Sequence, residues 1–226
     1  MAMSWKFDTD NIAPKIMRKF PQKVLKDFPA EFGVFKKLNS PGKIQDFLDG
    51  LKINFEKTGE TSRSPLMVLR RREAHCIEGA LLAAAALWYH GEPPLLLDLK
   101  TQKGDDDHVV ALFKQGGYWG AISKTNHAVL RYRDPIYRTL RELVLSYFHE
   151  YFLDSGVKTL RTYSRPFSLL PFGDEWLTSG EDLWEINNAL DESPHFAIVE
   201  KGAVAKLRLS HPTERAAGKI VEWKKK

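Results

Sequence analysis

The stretch RREAHCIEGALLAAAALWYHG, residues 71–91, contains the one cysteine of this 226-residue chain, Cys76. Cys76 opens a run that predicts a helix to Tyr89, ended by Gly91 and the pair Pro93-Pro94. A helix N-terminus carries about half a unit of positive charge. That field favours thiolate over thiol, and the thiolate is the nucleophile. Arg70, Arg71, Arg72 and His75 precede Cys76 and would lower its pKa further if they lie close. The backbone N–H of Cys76 would have no partner inside the helix and could hold an oxyanion. One position would thus serve two steps of acyl transfer. The plain alternative is a small, inert residue at the edge of a core, as buried cysteines usually are.

A nucleophile needs a base, and the base needs an orienter on its other nitrogen. His108 begins HVVALF, where alternation puts His108, Val110 and Leu112 on one face, expected to turn toward the helix of Cys76. With KQGG as a four-residue hairpin loop, Phe113 opposes Tyr118 and His108 opposes Ser123. Side chains so opposed can share a hydrogen bond. A bulge would slip the pairing by one residue. Ser123 can accept from the imidazole but brings no negative charge. Asp106, two residues before His108, is a source of one, although GDDDH also reads as a solvated loop.

These side chains need elements to hold them. Residues 1–39 read as a basic, aromatic arm packed on the core by Trp5, Phe7, Phe20, Phe28 and Phe32. A helix follows from Pro41 with Ser40 as its N-cap, and Ile44, Phe47, Leu48 and Leu51 form its apolar stripe. TGETSRSP reads as a loop. The small residues Gly79, Ala80 and Ala83–Ala86 allow neighbours to approach the Cys76 helix closely, so that helix is expected to be central. LLLDL, HVVALF, YWGAIS and AVLRYR read as strands, and PIYRTLRELVLSYFHEYF as a third helix with Leu140, Leu143, Val144, Tyr147 and Phe148 on one side. Within residues 154–226, EDLWEINNAL reads as a short helix and HFAIVEKGAVAKLRL as a hairpin. No flexible linker separates this extension from residues 40–153, so the chain is expected to form one α+β domain.

The order of a Cys-led helix, a His-led strand and a facing strand about fifteen residues on resembles the transglutaminase-like superfamily. HCIEGALLAAAALWYHGEPPLLL is similar to its nucleophile helix and following strand, and DDDHVVALFKQGGYWGAIS to its histidine hairpin. The resemblance covers roughly residues 40–150. It implies a papain-like fold, with a central nucleophile helix packed on an antiparallel sheet, and a Cys-His-Asp triad. The family includes proteases, amidases and acyltransferases, along with members that have lost activity. By position, Cys76 takes the nucleophile's role, His108 the base's, and Ser123 stands where the family has aspartate. Either Ser123 suffices, or Asp106 or Asn126 substitutes for it, or the protein is not an efficient enzyme. The family's usual small residue before the cysteine is His75 here, whose bulk would narrow the cleft.

Composition excludes several other classes. A chain this long can bury roughly 70% of its unfolded surface, so it needs no metal or disulfide staple. One cysteine permits no internal disulfide. The longest apolar run, Ala80 to Tyr89, is far short of the roughly 20 residues that cross a bilayer. Charges and Pro14 interrupt the N-terminus where a secretory signal would need an apolar stretch, so the expectation is a cytoplasmic protein without a membrane partner. The net charge of +5 gathers at VLRRRE and EWKKK, with no nucleic-acid motif beside either run. His75, Cys76 and His90 lack the spacing of a zinc shell. Trp119, Trp176 and Trp184 read as core residues. The resulting expectation is a cysteine hydrolase or acyltransferase on amide or peptide bonds, working through a thioester, without metal or cofactor. The alternatives are a non-catalytic binding or scaffold module of the same fold and, third, a basic nucleic-acid module.

Overall fold

The computed structural model describes residues 18–224, so Trp5, Phe7 and the last two lysines lie outside the described residues. Nine α-helices occur among the described residues. They are α1 (Gln22–Asp27), α2 (Pro29–Phe32), α3 (Pro41–Asp49), α4 (Pro65–Arg71), α5 (Cys76–Tyr89), α6 (Leu140–Phe148), α7 (Trp184–Asp191), α8 (Lys201–Val204) and α9 (Pro212–Gly218). The strands are β1 (Lys52–Ile53), β2 (Glu73–Ala74), β3 (Leu95–Thr101), β4 (His108–Gln115), β5 (Tyr118–Ile122), β6 (Arg133–Tyr137), β7 (Leu160–Ser164), β8 (Phe167–Ser168) and β9 (His195–Ala197). Seven of them form an antiparallel sheet in the order β6-β5-β4-β3-β7-β9, with β8 also on β3. β1 and β2 form a separate parallel pair.

The central strands β3 and β4 are covered on both faces, which is why their sequences are nearly continuous apolar runs. Their side chains alternate between two clusters. Leu96, Val109, Ala111 and Phe113 join α3, α4 and α5 on one face. Leu95, Leu97, Leu99, Val110 and Leu112 join α6 on the other. The α5 helix is buried from Ile77 through Trp88, as a helix apolar on all sides must be. Its small residues let the chain after β5 come very close. A Cβ on Gly79 would stand 2.4 Å from the Lys124 Cβ.

Lys124 is fully buried and points at the end of α3, donating to the Leu48 carbonyl at 2.9 Å and the Leu51 carbonyl at 2.6 Å. The last carbonyls of a helix have no partner within it and favour a cation. Burial holds the Lys124 amine below its ordinary 10.5. Ser40 caps the other end of α3, accepting from Lys43 N–H at 3.3 Å.

Several expectations change. Gly116 and Gly117 alone turn the β4–β5 hairpin, with φ of 59° and 87°, the positive values of a two-residue turn. Gln115 therefore pairs with Tyr118, and Phe113 faces Gly120 instead of Tyr118. The register moves by two residues, and an even shift leaves every side chain on its predicted face. That face is the α6 side of the sheet, not the α5 side. AVLRYR is not a strand as a whole, because Leu130 has φ 60° and breaks the extended chain; β6 begins at Arg133. As an edge strand, β6 tolerates Pro135. The third helix starts at Leu140, behind the Thr139–Glu142 capping box. Pro65 starts α4 within a stretch read as a loop. The predicted C-terminal hairpin has one short strand, β9, and its alanine- and lysine-rich second half coils into α8. Trp119 and Trp176 are buried, but Trp184 is 39% exposed.

The close approach at Gly79 sets a test. Gly79→Ala is expected to cost about 1–3 kcal/mol, because Lys124 is locked by its own hydrogen bonds and cannot retreat. Gly42→Ala, with open space around its Cβ position in α3, is expected to stabilise instead. Urea midpoints of the two variants, at unchanged m-value, measure both effects.

Candidate active site

Cys76 is the first residue of α5, and His75 is its N-cap in an extended conformation. The thiol lies in a cleft of about 380 Å³ that His108, Leu130, Glu150 and Tyr151 also line. Cys76 is partly buried. A hollow of about 420 Å³ around Lys52, Asn54, Glu56, Arg63 and Glu73 is larger, but neither Cys76 nor a histidine lines it.

Two imidazoles stand near the thiol, His75 hydrogen-bonded to it and His108 lining the same cleft. His108 opens β4 and lines the same cleft as Cys76. Its Nε2 lies 2.8 Å from Ser123 Oγ. The hydroxyl has one proton, and that proton goes to the Leu130 carbonyl at 2.5 Å. Ser123 must therefore accept from His108 Nε2–H. The neutral imidazole then keeps its lone pair on Nδ1, the nitrogen left for the thiol.

Ser123 is itself clamped. The Gln45 side chain of α3 accepts from its N–H at 2.9 Å and donates to its carbonyl at 2.8 Å. These are the two bonds a neighbouring strand would make. Leu130 is held from behind, since its N–H donates to Glu150 Oε2 at 2.7 Å and Glu150 Oε1 pairs with Arg133 at 2.7 Å. The strained αL conformation of Leu130 is what turns its carbonyl to Ser123. The His108–Ser123 contact predicted from sequence is present, but on the corrected register it runs diagonally across the hairpin.

His75 forms the other half of the site. Its Nε2 lies 2.9 Å from the Thr61 carbonyl, which can only accept, so Nε2 carries hydrogen. Its Nδ1 faces Cys76 Sγ at 3.9 Å. Glu56 Oε1 and Glu78 Oε1 each lie 3.5 Å from Nε2. Glu56 is held at φ 48°, a costly conformation for a residue with a side chain. Glu78, at the third helical position, is fully buried and accepts from His75 N–H at 3.0 Å and Thr61 Oγ1 at 2.8 Å.

These contacts decide the thiol's charge. Burial alone would push the Cys76 pKa up. Hydrogen bonds to His108 and His75, and then their charges, outweigh it and lower the thiol from 9.0 to about 5. Burial alone would push His75 down. Its hydrogen bond to Cys76 and the charges of Cys76, Glu78 and Glu56 outweigh that and raise it from 6.5 to about 9. The basic run plays no such part. Arg70 pairs with Glu31 at 2.7 Å, and Arg72 stacks over Phe47 at 4.8 Å.

The other candidates are placed elsewhere. Asp106 is exposed, and its side chain makes no bond to His108. The Asn126 amide is spent on the Trp223 backbone, donating to its carbonyl at 2.9 Å and accepting from its N–H at 2.8 Å. His90 sits at the far end of α5, bonded to the Phe35 carbonyl at 2.8 Å. The acidic group that could attract a cation is Asp98, Asp107 and Asp191, whose carboxylate oxygens lie within 4.8 Å of one another. Lys100 already pairs there with Asp191, and the buried Asp98 bonds His195 at 3.1 Å. Residue-type reasoning did not pick out Glu56 or Glu78. For Glu78 a signal was present in HCIE, a glutamate three residues past an N-cap.

The thiolate itself is measurable. Thiolate absorbance is expected to rise with a midpoint near pH 5, about four units below an ordinary thiol, and alkylation of Cys76 is expected to follow the same curve. A midpoint near 9 would show that the imidazoles do not act on the sulfur. No protein-family model matches this chain and no curated protein matches its sequence, so the chemistry of the site rests on its own residues.

Proposed function

We propose that this protein is a cysteine-dependent hydrolase or acyltransferase, acting on amide or peptide bonds through a thioester, on a transglutaminase-like, papain-like arrangement of helix and sheet. One observation carries the reading. A thiol at the start of a buried helix shares a cleft with an imidazole whose Nε2 is held by a third side chain. Cys76 attacks the carbonyl carbon, and the N–H of Cys76 faces the developing oxyanion. An imidazole protonates the leaving nitrogen as the thioester forms. His108 then takes a proton from water or an amine, which attacks the thioester and releases Cys76. Ser123 supplies the tautomer and orientation that a carboxylate would supply, without its charge. The cleft lining includes Asp105, Asp106 and Asp107 together with His127, Arg215 and Lys219, a mixture suited to a polar peptide.

Ser123 also favours a second reading, a binding module that keeps the fold without turnover. A nucleic-acid role has less support, because Arg70 and Arg72 are engaged within the protein.

The two leading readings separate in an acylation assay. Mixed with p-nitrophenyl acetate, the protein is expected to release one equivalent of nitrophenolate in a burst and to carry the acetyl group on Cys76. Cys76→Ser is expected to abolish the burst, and His108→Ala to slow release of the acetyl group by roughly 10²–10⁴-fold. If Cys76 stays unacylated, catalysis is wrong and the binding module stands.

A further inference from the structure

We propose that His75, and not His108, holds the proton of the Cys76 thiol in the resting protein. The proposal rests on the acyl-transfer reading and assigns its two imidazoles different work. The step is one proton transfer. The S–H bond of Cys76 breaks, an N–H bond forms at His75 Nδ1, and thiolate and imidazolium remain side by side.

The two rings differ in what stands behind them. His75 Nε2–H already donates to Thr61, so taking up a proton at Nδ1 leaves both N–H groups with partners. Two carboxylates, Glu56 from the loop after β1 and Glu78 from α5, then lie 3.5 Å from the positive ring. Arg63 offsets part of this, at 3.8 Å from Glu78, but it is mainly paired with Glu73 at 2.8 Å. His108 Nε2 meets an uncharged hydroxyl whose proton is committed to Leu130, and of the carboxylates that line the same cleft Asp105 accepts from Thr159, Asp107 accepts from Thr101, and Asp106 is exposed. The nearest carboxylate along that route, Glu150, is reached through the Leu130 peptide and is paired with Arg133. A cation is stabilised by opposite charge within a few ångströms, so the proton belongs on His75.

This division accounts for Ser123. With the resting charge on His75, His108 keeps Nε2–H on Ser123 and is left to take the proton of the nucleophile that resolves the thioester.

Thiolate absorbance against pH, in wild type, His75→Gln and His108→Gln, reads the assignment. His75→Gln is expected to raise the midpoint from about 5 past pH 6.5, so that less than half of the thiol is ionised there. His108→Gln is expected to keep the midpoint well below 7. The reverse pattern overturns the proposal while leaving acyl transfer intact, because the nitrophenyl acetate burst reads that chemistry separately. Nitrogen NMR of the imidazoles in the unmutated protein gives a second readout that no folding defect can confuse. His75 is expected to carry both ring protons at pH 7, and a neutral His75 beside an ionised Cys76 overturns the proposal.

Discussion

The site depends on one buried carboxylate. Glu78 is fully buried, and an unpaired charge there would cost several kcal/mol. It is retained because donors converge on it: Thr61 Oγ1, the N–H groups of His75 and Arg63, and the Asn54 amide. Those donors come from the segment between β1 and α4 and from the residue that caps α5. One side chain thus ties the start of α5 to the loop whose Thr61 carbonyl fixes the His75 ring. Its negative charge also falls beside that ring. Removing Glu78 would loosen the loop, the cap and the imidazole together.

A thiol–imidazole site needs an oriented ring and a charge balance, and these are usually met by one carboxylate behind one histidine. Here they are split. Orientation comes from the Gln45–Ser123–Leu130 clamp on His108, and charge from Glu56 and Glu78 around His75. Both halves store strain in the backbone, with Leu130 at φ 60° and Glu56 at φ 48°. The Leu130 carbonyl accepts from Ser123, and the Glu56 carboxylate lies beside the His75 ring. Such conformations persist only where the surrounding bonds over-determine them.

How much of this the sequence disclosed follows from the range of the interactions. The Cys76–Tyr89 helix was legible because its length, small residues and Gly-Pro stop are local signals. So was the Ser40 cap. The His108–Ser123 pair survived a wrong register, since a shift of two preserves the face. What the chain hid were long-range polar contacts. Ser123 is held by Gln45, 78 positions away, and Asn126 is taken by Trp223, 97 positions away. No periodicity encodes either. The surroundings of His75 were hidden by its position, since a residue next to Cys76 reads as bulk until Thr61, Glu56 and Glu78 surround it.

Lys124 adds something of another kind. Its amine is sealed against the carbonyls that end α3, while its backbone follows Ser123 and its Cβ lies against Gly79 of α5. Amine-directed reagents reach lysines on the surface at once, but they reach this one only when α3 parts from α5. The degree of labelling at Lys124 is therefore a clock for the opening of the fold beside the Cys76 cleft, kept by the protein's own chemistry and readable without any substituted residue.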